Sequence, residues 1–292
     1  MSSSIKTVGF IGTGLMGLPM AKNILSKKFK LNVWNRTSGK TLELQKKGAK
    51  IFKDIKDLVQ NSKVIISMLA NDEVCKAILI KKIHPYLKKG QIVIDMSSTT
   101  QNTALEIGKA LKKKKAIFLD APVSGGTIGA EKGTLAIMVG GEKKMFNTVM
   151  PLFKSMGTAI YVGKTGCGQV AKLANQTIVG ISIGAVSEAL ILAEAAGADP
   201  KAVREIMLRG FAGGPILQNH GLRILTKNFK PGGKASTQLK DMNNIIATAK
   251  KYKLNLPIAK KVQELYAKTV KSGRANLDHS ALYLFIKALS RQ

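Results

Sequence analysis

Residues 7–11 (TVGFI) form a short apolar run that breaks directly into Gly12-Thr13-Gly14-Leu15-Met16-Gly17, and an amphipathic stretch over 16–27 follows at once. A strand that must turn straight into a helix has few solutions, and three glycines at this spacing supply one. Gly12 permits the tight turn, Gly14 leaves the backbone open to close approach, and Gly17 lets helix and strand pack together. The start of the helix then offers unpaired N–H groups, along a loop containing Thr13, Leu15 and Met16, to an anion. A simple βα turn is the alternative reading of the glycines alone. The context narrows it: a strand before, a helix after, and a second strand at 31–34. Together they point to a dinucleotide whose pyrophosphate rests on the helix start.

The rest of the first half continues the alternation. Strands are expected at 50–52, 64–68, 91–95 and 116–120, with a further pair at 135–139 and 159–161, and helices at 41–47 and 55–60. Short apolar runs separated by helices give βαβ units and a mostly parallel sheet. From about residue 166 strand-like runs nearly vanish. Helices are expected at 169–196, 201–208, 239–251, 258–271 and 280–289, with Asp199-Pro200 as an N-cap followed by proline at the first helical position. The fold class is therefore α/β: a Rossmann-type unit at 1–164 and an all-α unit at 165–292, joined by a long helix.

The second strand ends Val33-Trp34-Asn35-Arg36-Thr37. A site that prefers NAD usually places Asp or Glu here, on the ribose 2′-hydroxyl. This chain has none. Asn35 is neutral, and the planar fork of Arg36 suits a 2′-phosphate. Asn35, Arg36 and Thr37 are thus candidate cofactor residues, and NADP(H) is expected over NAD(H). As an isolated residue Arg36 also reads as a solvent-facing turn position.

Composition constrains partners. Lys and Arg number 47 against 17 Asp and Glu, for a net charge of +30. All but six of the 47 are Lys, spread along the whole chain, with the densest run at 112–115 near an expected helix end. Lysine reads bases less well than arginine, and aromatic residues are only 5% of the chain. The charge is therefore expected on a solvated surface, with nucleic acid not expected as a partner. Two cysteines are too few for a disulfide framework or zinc site, and His84, His220 and His279 lack metal-ligand spacing, so no metal is expected. The start, Met1-Ser2-Ser3-Ser4, lacks the apolar core of a secretory signal. The longest apolar stretch, 178–192, is interrupted by Ser182, Gly184, Ser187 and Glu188 and reads as a buried helix too short to span a membrane. The expected setting is the cytoplasm.

Four further segments narrow the reading: Asp95-Met-Ser-Ser-Thr99, Asp120-Ala-Pro-Val-Ser124-Gly125-Gly126, Gly166-Cys-Gly-Gln-Val-Ala-Lys172-Leu-Ala-Asn175, and Lys240-Asp241. With the N-terminal glycine loop, in this order and over nearly the whole chain, they resemble the β-hydroxyacid dehydrogenase family. That family groups 3-hydroxyisobutyrate dehydrogenases, tartronate semialdehyde reductases and succinic semialdehyde/glyoxylate reductases. The resemblance implies Lys172 as catalytic acid/base and Asn175 as a substrate residue. Ser124, Gly125 and Gly126 would hold the substrate carboxylate, and Lys240 would stand near nicotinamide and substrate. Thr99 would close over the nicotinamide ribose, and Leu69-Ala70 would form the loop passing the cofactor, where relatives often have Leu-Pro. It also implies a homodimer or homotetramer built through the helical half.

The residues themselves support these roles. Ser124-Gly125-Gly126 is a small-residue turn whose hydroxyl and N–H groups can cradle a carboxylate, though such a triplet alone is more often an ordinary turn. Lys172 falls in an otherwise apolar helical stretch, where a cation is costly to bury without a partner or a task. Asn175 and Gln176 share its face. Lys240-Asp241 taken alone reads as a surface pair, and His279 as a helix-start residue. The segments 211–217 and Gly232-Gly233 differ from several relatives and bear on the far end of a substrate pocket. The expected activity is hydride transfer between NAD(P) and a small 3-hydroxy acid or its aldehyde, of the 2-hydroxy-3-oxopropionate or 3-hydroxyisobutyrate type. The rival reading is a basic, catalytically idle dehydrogenase fold that binds nucleic acid; the presence of Lys172 separates the two. A larger sugar-acid dehydrogenase of the phosphogluconate type needs a longer helical half.

Overall fold

The computed structural model describes residue 5 and residues 7–290, with residue 38 described by its backbone alone. The reading of Met1–Ser4 lies outside the described residues. The chain divides into two compact units, Met1–Lys172 and Leu173–Gln292.

Among its described residues the first unit holds nine strands: β1 Thr7–Ile11, β2 Lys30–Trp34, β3 Lys50–Ile51, β4 Val64–Ser67, β5 Ile92–Asp95, β6 Ile117–Asp120, β7 Val123–Ser124, β8 Leu135–Gly140 and β9 Gly157–Gly163. Its complete helices are α1 Gly17–Ser26, α2 Leu42–Lys46, α3 Ile55–Gln60, α4 Asp72–Lys76, α5 Gln101–Lys112, α6 Gly126–Lys132 and α7 Lys143–Phe153. The strands form one sheet in the order β3-β2-β1-β4-β5-β6-β8-β7, with β9 on the free side of β8. Pairing is parallel from β3 to β6; β8 runs antiparallel to β6 and β7 and parallel to β9. Chain direction across the sheet switches between β1 and β4, the place where such sheets open a crevice at their carboxyl ends.

β4 (VIIS) and β5 (IVID) are buried at every position, as strands covered on both faces must be. Alternation assigns their side chains to two cores. Val64, Ile66, Ile92 and Ile94 pack on one face with Val8, Phe10 and Phe153. Ile65 and Val93 pack on the other with Leu58, Leu79 and Leu111. Side-chain caps start several helices: Asp54 accepts from Lys56 N, Asn71 from Val74 N, and Thr100 from Thr103 N.

One long helix, α8 Cys167–Ala195, leaves the first unit and enters the second. The second unit continues with α9 Pro200–Arg209, α10 Leu222–Leu225, α11 Ala235–Lys251, α12 Pro257–Thr269 and α13 Leu282–Leu289. Asp199 caps α9 through Lys201 N with Pro200 in the first turn, as the sequence predicts. Leu173, Ile183, Met242, Ile245, Val262, Tyr266 and Leu282 form its core. Gly180 of α8 has no room for a side chain: a Cβ there would stand 2.8 Å from Met242 Sδ and 2.9 Å from Gln238 Nε2 of α11.

α8 overturns one expectation. Its 29 residues include an 18-residue window with mean hydropathy 1.8, long and apolar enough by composition to cross a membrane. Small residues such as Ser182 and Gly184 interrupt the lettering without lowering the average enough. Nor is it a buried helix, since only 28% of that window is covered within the chain. Ile178 and Leu192 are 67% and 71% exposed. Lysine, meanwhile, reaches positions where other chains use glycine: Lys28, Lys115, Lys227 and Lys253 all have positive φ, beyond helix ends.

Candidate active site

The glycine loop is built as its spacing requires. Gly12 has φ +97° and a Cβ there would strike the Met68 carbonyl; a Cβ on Gly17 would strike the Gly12 carbonyl. Around Gly14 nothing lies within 4 Å of where a Cβ would be. Asn35 closes the loop from the side. Its Oδ1 accepts from Thr13 N at 3.0 Å, and its Nδ2 donates to Thr37 O at 2.8 Å. Arg36 and Thr37 are exposed. The sequence alone did not show that Asn35 spends its amide on tying the loop to the end of β2.

At the carboxyl ends of β4 and β5 a buried carboxylate organises the next loops. Asp95 accepts from Ser67 Oγ at 2.8 Å, Ser97 Oγ at 2.6 Å and Ser97 N at 3.2 Å. Burial pushes its pKa up, and these donors work against that. Ser97 Oγ in turn accepts from Leu69 N at 2.8 Å, which fixes the Leu69-Ala70 loop. Thr99 is held by its backbone, N–H to Gln169 Oε1 at 3.0 Å. Its own hydroxyl, like that of Thr13, is buried without a protein partner. Two orphaned hydroxyls at the sheet's carboxyl end and open space over Gly14 fit a bound dinucleotide, because each supplies a place for its polar groups.

Ser124 and Gly125 join a strand end to a helix start. Ser124 ends β7, in register with Ala136 of β8. Gly125 (φ +128°) is the N-cap of α6, and Gly126 (φ +60°) starts it. Both glycines are exposed, and a Cβ on Gly126 would meet nothing within 4 Å. Lys172 is 8% exposed on α8. It lies three residues after Gln169, whose Nε2 donates to Ser97 O at 2.8 Å, so the two share a helical face.

In the second unit α8 and α11 bring together Asn175, Gln176, Gln238, Lys240 and Asp241. Asn175 Nδ2 donates to Gln176 Oε1 at 2.9 Å, and Gln176 Nε2 donates to Asp241 Oδ2 at 2.7 Å and Gln238 Oε1 at 3.3 Å. Asp241 is buried and pairs with Lys240 at 3.1 Å, so this is not a plain surface pair. Gln238 was not signalled by the sequence; only its place one turn before Asp241 hints at a shared face.

A second cluster joins residues far apart in sequence. His220, Asp278 and His279 place their ligand-type atoms within 4.8 Å of one another, and the two imidazoles meet edge-on. The Asp278 carboxylate is already engaged. It accepts from Gly232 N, Gly233 N, Ser280 N and Ser280 Oγ, and Arg223 stands 3.8 Å away. Burial works to raise its pKa, but His220, His279 and Ser280 outweigh it and hold the group well below the usual carboxylate range.

Burial, followed by the charge of His220, lowers the His279 pKa from 6.5 to about 4. The unfolded chain therefore accepts a proton between these values that the folded unit refuses. Stability from this group is full above pH about 6.5 and declines as pH falls toward 4. We expect the second unit to lose on the order of 1–2 kcal/mol between pH 6.5 and 5, read from denaturant melts, with His279→Gln flattening the slope. A wild-type profile already flat in this window would contradict the buried neutral imidazole.

A mostly parallel sheet with a glycine-loop phosphate seat and partnerless buried hydroxyls at its carboxyl edge is the architecture of a dinucleotide-dependent enzyme. Comparison with known proteins agrees. Residues 7–165 match the family profile of the NAD binding domain of 6-phosphogluconate dehydrogenase, and residues 166–286 that of NADP-dependent 3-hydroxyisobutyrate dehydrogenase. The chain belongs to the 3-hydroxyisobutyrate dehydrogenase, or β-hydroxyacid dehydrogenase, family of NAD(P)-dependent oxidoreductases. It is 40% identical to 2-hydroxy-3-oxopropionate reductase of Escherichia coli (strain K12), covering 94% of this chain and 95% of that one. It is 31% identical to glyoxylate/succinic semialdehyde reductase 1 of Arabidopsis thaliana, over 96% and 98%. Among solved structures, Mycobacterium tuberculosis 3-hydroxyisobutyrate dehydrogenase with L-serine superposes with a TM-score of 0.89 at 25% identity, over 97% and 99%.

Proposed function

We propose that this chain is an NADP(H)-preferring reductase of a small carboxylate-bearing aldehyde, of the 2-hydroxy-3-oxopropionate type. The observation that carries the reading is Lys172: a buried amine on the helical face whose preceding turn, through Gln169, is bonded to the Ser97–Thr99 loop. Bound NADPH supplies the hydride. The ammonium of Lys172 faces the charge that develops on the carbonyl oxygen and delivers the proton; in the reverse direction the neutral amine accepts it. Ser124 and the N–H groups at Gly125 and Gly126 hold the substrate carboxylate and so fix the reacting carbon. Asn175 and Lys240 are assigned to the substrate, and Lys240 also to the cofactor, by the family pattern. Gly12–Gly17, Asn35, Leu69, Ala70 and Thr99 line the cofactor; Arg36 and Thr37, exposed beside a strand end with no carboxylate, receive the 2′-phosphate.

Residues 1–164 serve the nucleotide, and 165–292 serve the substrate and assembly. The exposed apolar side chains Ile178, Leu192 and Phe211 of the helical half support a homodimer or homotetramer. The cytoplasm is the setting proposed for it. Steady-state kinetics with both nucleotides against tartronate, succinic and methylmalonate semialdehydes and glyoxylate test the reading. NADPH should exceed NADH in kcat/KM by about tenfold or more, the worth of one charge-assisted pair. Tartronate semialdehyde should be the best substrate. An NADH advantage overturns the cofactor assignment, and a better rate with another aldehyde overturns the substrate.

A further inference from the structure

We infer that Asp120 is a positioning residue for the reaction: its carboxylate seats the first turn of α8 on the sheet and so sets where the Lys172 amine stands. Asp120 ends β6, opposite Asp95 of β5 and Gly140 of β8, and has no exposed surface. Oδ1 accepts from Gly166 N at 2.8 Å and Oδ2 from Gln169 N at 2.9 Å. A helix start leaves four N–H groups without intrahelical partners, and a carboxylate is the preferred charge there. Here one side chain uses both oxygens on that start.

Two glycines make the approach possible. A Cβ on Gly168 would strike the carbonyls of Asp120 and Met138 and stand 2.8 Å from Asp120 Oδ2. A Cβ on Gly140 would stand 2.7 Å from both Asp120 Oδ1 and Gly168 N. No side chain is tolerated on either surface of the seat. In the same turn the Gln169 side chain reaches past it: Oε1 accepts from Thr99 N and Nε2 donates to Ser97 O. The first turn of α8 is thus bonded to β6 and to the loop after β5, and it packs closely against β8. Lys172 follows three residues later, about 4.5 Å along the axis, and inherits that placement.

This inference rests on Lys172 as the proton donor, and the experiment separates the two claims. Asp120→Ala removes both acceptors; Asp120→Asn keeps the shape and one acceptor. Each is made in the wild-type chain and in Lys172→Ala, with kcat, KM for NADPH and melting temperature measured. A misplacement of about 1 Å costs about a hundredfold in rate, so Asp120→Ala should lose about that much kcat with KM for NADPH little changed. Asp120→Asn should recover part of the loss. In the Lys172→Ala chain neither should cost anything more, because the group they position is gone. Equal fold-losses in both backgrounds, a parallel rise in KM for NADPH, or near-native kcat in Asp120→Asn and Asp120→Ala would each overturn the inference. Should Asp120→Ala fail to fold, the Asp120→Asn pair decides it alone. Near-normal turnover in Lys172→Ala itself would instead overturn the parent assignment.

Discussion

Replacing Lys172 with alanine is expected to lower turnover about a thousandfold while leaving NADPH binding intact, within the range that proton transfer contributes. The nucleotide loop is the unit's first βα turn, between β1 and α1, and among the described residues none of its hydrogen bonds involves α8. The affinity read by NADPH fluorescence should therefore hold while kcat falls. Lys172→Arg should not restore activity, because a guanidinium keeps its proton at working pH. A variant that turns over at near-native rate would remove position 172 from the chemistry.

The second large effect separates two glycines of the first βα turn. Gly14→Ala should fold with an unchanged melting temperature, since its new methyl meets no protein atom within 4 Å. That open space is what a pyrophosphate needs, so KM for NADPH should rise about tenfold or more. Gly17→Ala should do the opposite: its methyl collides with the Gly12 carbonyl. The expected cost is about 2–3 kcal/mol of stability, seen in denaturant melts, whether or not nucleotide is present. Equal stability losses in the two variants would mean that Gly14 serves the loop's shape rather than a ligand.

Much of this was legible from local pattern. The run Thr7–Ile11, the glycine loop and the start of α1 obey rules that act over a few residues, and so do the all-buried strands β4 and β5. The helical half showed in the loss of strand-like runs after residue 166; an apolar stretch with one cation singled out Lys172, and the role proposed for it comes from the family resemblance. What escaped was of two kinds. Some helices hide behind residues that usually end them. α7 contains Pro151, α6 begins within Ser-Gly-Gly, and α4 runs on into a wider-wound turn over Ala77–Ile83. The other kind is long-range. Gln169 bonds to residues 70 and 72 positions away, and Asp120 to residues 46 and 49 away. No periodicity links such positions, so Asp120 reads in sequence only as the end of a strand. His220 meets Asp278 and His279 for the same reason.

Asn35 shows what this wiring means for anyone wishing to change which nucleotide the enzyme takes. The obvious exchange installs aspartate at the strand end, where NAD-users carry an acid. Here that amide has two jobs, receiving from Thr13 and giving to Thr37. A carboxylate keeps the first and sets one oxygen lone pair against another in the second. The swap would slacken the very loop it was meant to re-tune. Redesign is better begun from outside, at Arg36 and Thr37, whose side chains stand clear of that truss.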